Sequence, residues 1–557
     1  MTIASVRVRV LSLFVLGAFV RTCFWLATPD RELPNSIAYE GDAPKWLQLL
    51  ADVPGDIHAA LPLYPPGMSW LLPALTDGQS FVLARLSMVL LGALLAPLLY
   101  LLLRRSLSER VAVVSAGLVA VSSGLVVLGS GLHSDVPYLF LFLLGLFPYE
   151  ALRRSASVGA AIQFGLTQAL ACYLRVDHLA FVVMALVWLA IRAKPRGGIS
   201  ALIASATILL VFAPWQFHIA AQIDRANAQG FPGRELKALP LANSLPWDAD
   251  ALALVNQVPG FSRELAFAFI NNTMNVRGAK RVTIRDLAVL DEAYGYRPEA
   301  LSTPLLAMYG PLNFCLANYE TSTGAFSRAA FDHRPPLVGG VDRYSSMIQI
   351  CLQPNGPLRF DYPPHLEIIN HGYRIGIERL WAKPGWAMWL FGQKVLNAWR
   401  GTATGIGSYA LPLGMSGLRE PVDMAVSMTS TASVWRFLLL ALAVFGAFCA
   451  RSTSSVSSFL LFVVAKLIAV VLFFGYARMG ALCIPSFAVF WAIGLDRLVL
   501  ARMPAARFKR LLWAFVVTVV LIEGVRCLAG EWPKMQRVGP AAGPIIGRDE
   551  RVIVNYE

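Results

Sequence analysis

Residues 81–103 read FVLARLSMVLLGALLAPLLYLLL, an apolar stretch about as long as the roughly 20 residues that a helix needs to cross a bilayer. Because hydrocarbon offers no partner to open backbone groups, such a stretch must be helical. Similar windows recur along the chain and predict about eleven spans, at 8–28, 81–103, 111–129, 136–152, 157–174, 178–193, 198–220, 434–450, 455–474, 480–499 and 510–529. The predicted fold class is an all-α, polytopic integral membrane protein.

The composition agrees with that class. Of the 557 residues, 56% are hydrophobic and 15% are charged, whereas soluble domains carry roughly 25% charged residues. The net charge of +14 does not indicate a nucleic-acid partner, because the Lys and Arg residues lie mainly in short loops between apolar segments. The seven Cys residues show no metal-ligand spacing. Cys315 and Cys351 could pair if their loop lies outside the cytoplasm, or could equally be two thiols.

The positive charges predict the orientation. Basic residues follow spans two, four, six, eight and ten and precede span one, so that face is predicted to be cytoplasmic. The opposite face then receives the first loop (29–80), a long loop (221–433) and the tail (530–557). We therefore divide the chain into a module at 1–433, C-terminal helices at 434–529 and the tail. The first span is predicted to stay uncleaved, since Arg21 interrupts it and no cleavage site follows.

The long loop contains two segments with helical spacing of apolar residues, 366–382 and 385–399. Their tryptophans suit a membrane interface; they are Trp381, Trp386, Trp389 and Trp399. We expect amphipathic helices lying at the outer membrane surface here.

Charged residues recur at the predicted outer face. They are Glu40 and Asp42 in the first loop, His133 and Asp135 before span four, Arg175 and Asp177 between spans five and six, and Arg478 between spans nine and ten. Each can be explained singly: an acid favours a helix N-terminus, and neighbouring opposite charges can pair. Together, Asp, His and Arg at one face suit an anionic substrate reached from the lipid.

The order of several short motifs carries a family resemblance. These motifs are Asp42 followed by Trp46, Pro65-Pro66-Gly67, His133-Ser134-Asp135-Val136-Pro137, Leu174-Arg175-Val176-Asp177-His178, Pro214-Trp215, the run 373–399 with Lys394, and Arg478 followed by Pro485. In this order the chain resembles the bacterial C-type glycosyltransferases of the family 39 protein mannosyltransferase and aminoarabinose transferase kind. Two departures stand out: Asp42 lacks an adjacent second acid, and Gln216 follows Trp215 where the family has Arg-Asn.

The resemblance implies a function for this set of residues. It implies inverting transfer of a sugar from a polyprenyl-phosphate donor to an extracytoplasmic glycan, lipid or protein, at the periplasmic face of a bacterial inner membrane. Asp42 would be the catalytic base, with Glu40 as the alternative. Arg175, Arg478 and Lys394 would bind the donor phosphate, and His133, Asp135 or Asp177 would have a catalytic or a substrate-orienting role. No cofactor is required, although Asp42, Glu40 and Asp135 are the oxygen ligands that a divalent metal would use.

Other classes of membrane protein were weighed against this one. A lipid or sugar transporter, or flippase, often shows repeated halves and charges near mid-membrane, whereas here the charges lie at helix ends and no repeat is evident. A polysaccharide polymerase or ligase, or a non-enzymatic scaffold, would not need an acid in the first outer loop.

Overall fold

The described part of the chain is built from α-helices. The computed structural model describes residues 3–27, 63–76, 81–155, 157–192, 196–229, 244–256, 267, 270–271, 273–275, 277–288, 300–320, 322–325, 363–405, 431–450 and 456–529. In chain order the helices are α1 (Ile3–Ala27), α2 (Gly67–Thr76), α3 (Phe81–Leu103), α4 (Glu109–Val121), α5 (Ser123–Ser130), α6 (Asp135–Arg154), α7 (Val158–Leu174), α8 (Leu179–Arg192), α9 (Arg196–Gln229), α10 (Ala249–Asn256), α11 (Tyr309–Ala317), α12 (Pro363–Ala382), α13 (Pro384–Thr404), α14 (Thr431–Cys449), α15 (Val456–Leu472), α16 (Ala477–Ala481), α17 (Ile484–Leu498) and α18 (Ala505–Ala529). The predicted all-α class is confirmed over these residues.

The predicted spans coincide with helices, but not all of those helices are long enough to count as spans. Four described helices, α1, α3, α6 and α9, are long and apolar enough to cross a membrane, and the bent pair α4 and α5 would make a fifth. Shorter apolar helices occupy the windows predicted at 157–174, 178–193, 434–450 and 455–474. The chain is therefore a membrane protein, while the number eleven stays a prediction.

Contacts divide the chain into two compact units. The first contains Met1–Ala51, Pro65–Phe212 and Gly392–Val552, and the second contains Asp52–Tyr64, Ala213–Phe391 and Ile553–Glu557. The boundaries predicted at 433 and 529 divide the chain by membrane segment instead, and they stay a prediction.

The first unit is a bundle of apolar helices. Within it α6 packs against α7, α1 against α3, and α17 against both α4 and α14. Serine side chains begin two of the helices, since Ser108 accepts a hydrogen bond from the Val111 amide and Ser157 from the Ala160 amide. The apolar side chains that these helices bury provide the main driving force for packing in the core.

A break between α4 and α5 bends the chain by 53° at Ser122. A bend inside an apolar environment is tolerated only where neighbouring groups bond the backbone it releases. At this bend the fully buried Arg21 does so by donating to the Ala120 carbonyl (2.9 Å), and at the far end of α5 the fully buried Arg85 donates to the Ser130 carbonyl (2.8 Å). The guanidinium groups thus lie at the C-terminal ends of α4 and α5, where cations are stabilising.

Two glycines make room for the Arg21 side chain. A Cβ added to Gly92 on α3 or to Gly129 on α5 would lie 2.7 Å from Arg21 Nε. The guanidinium cannot easily move aside, because its Nη1 also donates to the Gly17 carbonyl at 3.0 Å. Arg21 therefore fills a slot that only glycines at these positions leave open.

We expect Gly92→Ala to lower the stability of the folded protein by about 1–3 kcal/mol, the usual cost of overpacking a core. Gly117→Ala on α4 is the matched control, because a Cβ there meets nothing within 4 Å. In thermal unfolding in detergent, the midpoint should be lowered for Gly92→Ala and should not be lowered for Gly117→Ala. Equal midpoints for the two variants would contradict the claim that Gly92 makes room for the Arg21 side chain.

The second unit contains the amphipathic helices. Part of α13 lies in it together with α12, and the two coincide with the segments predicted at 366–382 and 385–399. Trp381 and Trp389 are exposed, at 80% and 51% of their surface, as expected for side chains at a membrane interface. α12 packs against α11, on which Cys315 is a buried thiol, while Cys351 lies outside the described residues.

Candidate functional site

Asp135 joins two arginines that are distant in sequence. It is the first residue of α6 and is fully buried. One carboxylate oxygen accepts a hydrogen bond from Arg175 Nη1 at 2.5 Å, and the other accepts one from Arg478 Nε at 2.5 Å. The fold thus brings together the turn after α7 and the short helix α16, which places Arg478 at the same carboxylate as Arg175.

Asp177 and Lys466 extend this arrangement. Arg175 Nε donates to Asp177 Oδ1 at 3.0 Å, and Lys466 Nζ donates to Asp177 Oδ2 at 2.5 Å. Arg478, Asp135, Arg175, Asp177 and Lys466 therefore form one continuous chain, which we call the charge network. With every member ionised it holds three cations and two carboxylates, and so carries one positive charge in excess.

Burial and neighbouring charges act in opposite directions on Arg175. Burial alone would lower the pKa of its guanidinium, but the Asp177 and Asp135 carboxylates outweigh burial and raise that pKa. Arg175 is therefore charged at any physiological pH, and it connects the two halves of the network.

Both ring nitrogens of His178, the residue that follows Asp177, are held by hydrogen bonds. Its Nε2 lies 2.7 Å from Gln168 Oε1, and its Nδ1 lies 2.9 Å from the Tyr138 hydroxyl. Because an amide oxygen only accepts, Nε2 donates to it and Nδ1 accepts from Tyr138 when the amide is oriented this way. Both nitrogens of a neutral imidazole are then used. The ring of Tyr138 is held with Lys466 Nζ 4.5 Å from its centroid, within cation–π range.

The Pro65-Pro66-Gly67 turn packs against the segment that precedes Arg175. A Cβ on Gly67 would lie 2.7 Å from the Tyr173 carbonyl oxygen, so only glycine allows this approach. The ring of Trp70 lies edge-on to the ring of Tyr173, at 5.1 Å between centroids. The turn therefore helps to position the residues from which Arg175 projects.

The structure brings four of the predicted site residues into one network. Asp135, Arg175, Asp177 and Arg478 are its members. His133 is buried and interacts electrostatically with Asp135.

Lys394 has different surroundings. It lies fully buried on α13 and donates to the Val471 carbonyl at 3.0 Å. Burial lowers its pKa to about 7. Asp42 and Glu40, the predicted base and its alternative, lie outside the described residues.

Sequence reasoning did not predict Lys466 or the three residues beside it, Tyr138, Gln168 and His178. Lys466 lies in the middle of the apolar helix α15 and is 1% exposed. An ionisable side chain inside an apolar span is rare and is usually functional, and this was the signal available in the sequence. Tyr138 carried no such signal, because tyrosine is common at the ends of membrane helices.

A metal site was also considered. Among the described residues, no group of three or more His, Cys, Asp or Glu side chains is arranged to hold a metal ion. Of the oxygen ligands predicted for a divalent metal, the described residues include only Asp135, whose carboxylate already binds two arginines.

The segment that supplies most of this network also has a sequence match. Residues 63–218 match the dolichyl-phosphate-mannose-protein mannosyltransferase family. This mannosyltransferase match contains Asp135, Arg175 and Asp177, and it confirms over this segment the resemblance that the motifs predicted. No curated protein gives a significant match to the chain.

Solved structures of an oligosaccharyltransferase from Archaeoglobus fulgidus are also similar. The apo form has 13% identity and a TM-score of 0.42, covering 94% of this chain and 56% of that one. A complex with Zn and sulfate has 13% identity and a TM-score of 0.43, covering 92% and 53%. A third, with an inhibitory peptide and a dolichol-phosphate, has 14% identity and a TM-score of 0.40, covering 96% and 56%. The chain spans about half the length of these proteins.

Proposed function

We propose that this protein is a membrane glycosyltransferase that takes a sugar from a polyprenyl-phosphate donor and transfers it, with inversion, to an extracytoplasmic glycan, lipid or protein. The observation that carries the proposal is the charge network, most of which lies within the segment matched by the mannosyltransferase family.

The charge balance of the network suits a departing phosphate. A sugar linked to a polyprenyl phosphate is a phosphodiester with one negative charge, and the lipid phosphate released from it carries about −1.5 to −2. The network has one positive charge in excess, so it attracts the phosphate more strongly as transfer proceeds. Cations that are fixed before the reaction stabilise developing charge with little reorganisation.

The proposed reaction step combines the network with the base predicted from the sequence. The acceptor O–H or N–H gives its proton to the Asp42 carboxylate, and the acceptor atom attacks the anomeric carbon of the sugar. The bond from that carbon to the phosphate oxygen breaks, and its electron pair stays on the phosphate. Arg175 and Arg478 bind the phosphate oxygens with their planar guanidinium groups, a geometry suited to paired hydrogen bonds.

Asp135 and Asp177 act as positioning residues in this scheme. Both oxygens of each carboxylate already accept hydrogen bonds from cations, which makes them poor bases for an acceptor. We assign the base to Asp42, with Glu40 as the alternative, and His133 to orienting Asp135. The scheme requires no metal, and a divalent ion at Asp42 and Glu40 is a secondary proposal.

We expect Arg478→Ala to raise the KM for the polyprenyl-phosphate sugar by about 10–100-fold, the effect of losing one hydrogen bond to a charged group. The variant also removes the excess positive charge of the network. Arg478→Lys keeps the charge but not the planar fork, so its KM should be intermediate. Arg497→Ala is the matched control, since Arg497 is an exposed arginine in the last turn of α17. An unchanged KM in Arg478→Ala would exclude its phosphate role.

A transporter or flippase is the second candidate, because buried charges within a membrane bundle also mark transport pathways. Reconstituted vesicles distinguish the two functions. Sugar transferred to an acceptor supports the glycosyltransferase, while movement of the lipid-linked sugar across the bilayer without transfer supports the transporter.

A further inference from the structure

A groove at the opposite end of α6 from Asp135 is lined by two arginines. It lies where α3 and α6 end, has a volume of about 200 Å³, and is lined by Arg105, Ser106, Glu150, Arg154 and Ser155 together with two apolar residues. The positive-charge distribution predicts this end to be cytoplasmic. Both arginines directly follow or end a candidate span, which is the depth of the lipid headgroups.

Two carboxylates at this end of the helices already have cationic partners. Glu150 accepts from Arg153 Nη1 at 3.1 Å and from the Ser458 hydroxyl at 3.0 Å. Glu109 forms an ion pair with Arg9 and accepts from the Tyr100 hydroxyl. The only acid in the groove is therefore engaged by groups outside the lining.

The two lining arginines have no carboxylate partner in the described part of the chain. Among the residues that the structure describes, Arg105 and Arg154 form no ion pair with an acid. The Arg105 guanidinium lies over the Phe147 ring, 4.7 Å from its centroid, so its position is fixed by packing rather than by an anion. The hydroxyls of Ser106 and Ser155 add two hydrogen-bond donors to the same groove.

We propose that this groove binds the phosphate headgroup of an anionic phospholipid in the cytoplasmic leaflet. Two arginines and two hydroxyls supply charge and hydrogen bonds to phosphate oxygens. The adjoining apolar surfaces of α3 and α6 suit the acyl chains. Basic pockets between membrane helices on this side of the bilayer are known to take such headgroups. The proposal does not depend on the glycosyltransferase function.

The test is lipid titration of the purified full-length protein in phosphatidylcholine nanodiscs, followed by native mass spectrometry. We expect phosphatidylglycerol to bind more tightly than phosphatidylcholine. Each basic residue near an anionic headgroup contributes about fivefold, so the double variant R105Q/R154Q should lose about 25-fold in affinity. The charge-retaining double variant R105K/R154K should keep most of it, which separates loss of the site from loss of folding.

Arg104→Gln is the matched control. Arg104 precedes Arg105 and lies over the Tyr100 ring instead of lining the groove. Unchanged phosphatidylglycerol binding in this variant, with loss in R105Q/R154Q, supports the site. An equal loss in both variants would mean that diffuse surface charge attracts the lipid and would overturn the proposal. So would inorganic phosphate binding to the groove without any preference for phosphatidylglycerol over phosphatidylcholine, because the ligand would then be a soluble anion.

Discussion

Asp42→Asn should lower the rate of sugar transfer by about 10²–10⁴-fold, the usual contribution of a positioned general base. The amide keeps the size of the side chain but cannot take a proton from the acceptor. Binding of the donor phosphate depends on the cations of the network, so the affinity for the polyprenyl-phosphate sugar should be retained. Single-turnover transfer with saturating donor, measured beside donor binding, separates these two effects.

Glu40→Gln is the matched control for this variant. If Asp42 is the base, Glu40→Gln should retain most of the transfer rate. The opposite pattern, with full activity in Asp42→Asn and loss in Glu40→Gln, would assign the base to Glu40. Full activity in both single variants would remove the first-loop acids from the mechanism.

Asp135→Asn should lower the free energy of unfolding by about 3–5 kcal/mol, the cost of breaking a buried ion pair on one side. The substitution leaves Arg175 and Arg478 facing a neutral amide in a buried site. Of the four cation contacts in the network, it weakens two. Thermal unfolding of the detergent-solubilised protein should show a large drop in midpoint, together with reduced expression.

A double variant tests whether charge is the cause. Asp135→Leu with Arg478→Leu removes one charge of each sign, and Arg175 keeps its Asp177 partner. Because apolar replacement of a complete buried pair is often close to neutral, the double variant should be more stable than Asp135→Leu alone. If the two losses simply added, the carboxylate and Arg478 would not be energetically coupled.

The helices could be predicted from the sequence because apolar length is a direct physical requirement of the bilayer. The window predicted as one span at 111–129 is instead the bent pair α4 and α5. No proline or charge marks the bend at Ser122, and the side chain that bonds its released backbone, Arg21, is far away in the sequence. Local patterns cannot reveal such a partner.

The sequence predicts only part of the site, because it shows membrane depth but not contacts between distant residues. Asp135, Arg175 and Arg478 stood out because charges at helix ends on one face must lie at one membrane depth. However, knowing that residues lie at the same membrane face does not show which of them are in contact. It could not show that Lys466 joins Asp177 from inside an apolar helix, nor that Lys394 donates to the backbone of Val471.

The bond between Arg21 and Ala120 also bears on how the protein is made. Arg21 is synthesised before the Ala120 carbonyl, which lies 99 residues further along the chain. An arginine at the centre of a membrane helix costs about 2.5–3.5 kcal/mol on insertion scales, and Arg21 lies nearer one end of α1. Until α4 is in place, α1 has to bear part of that cost without this hydrogen bond.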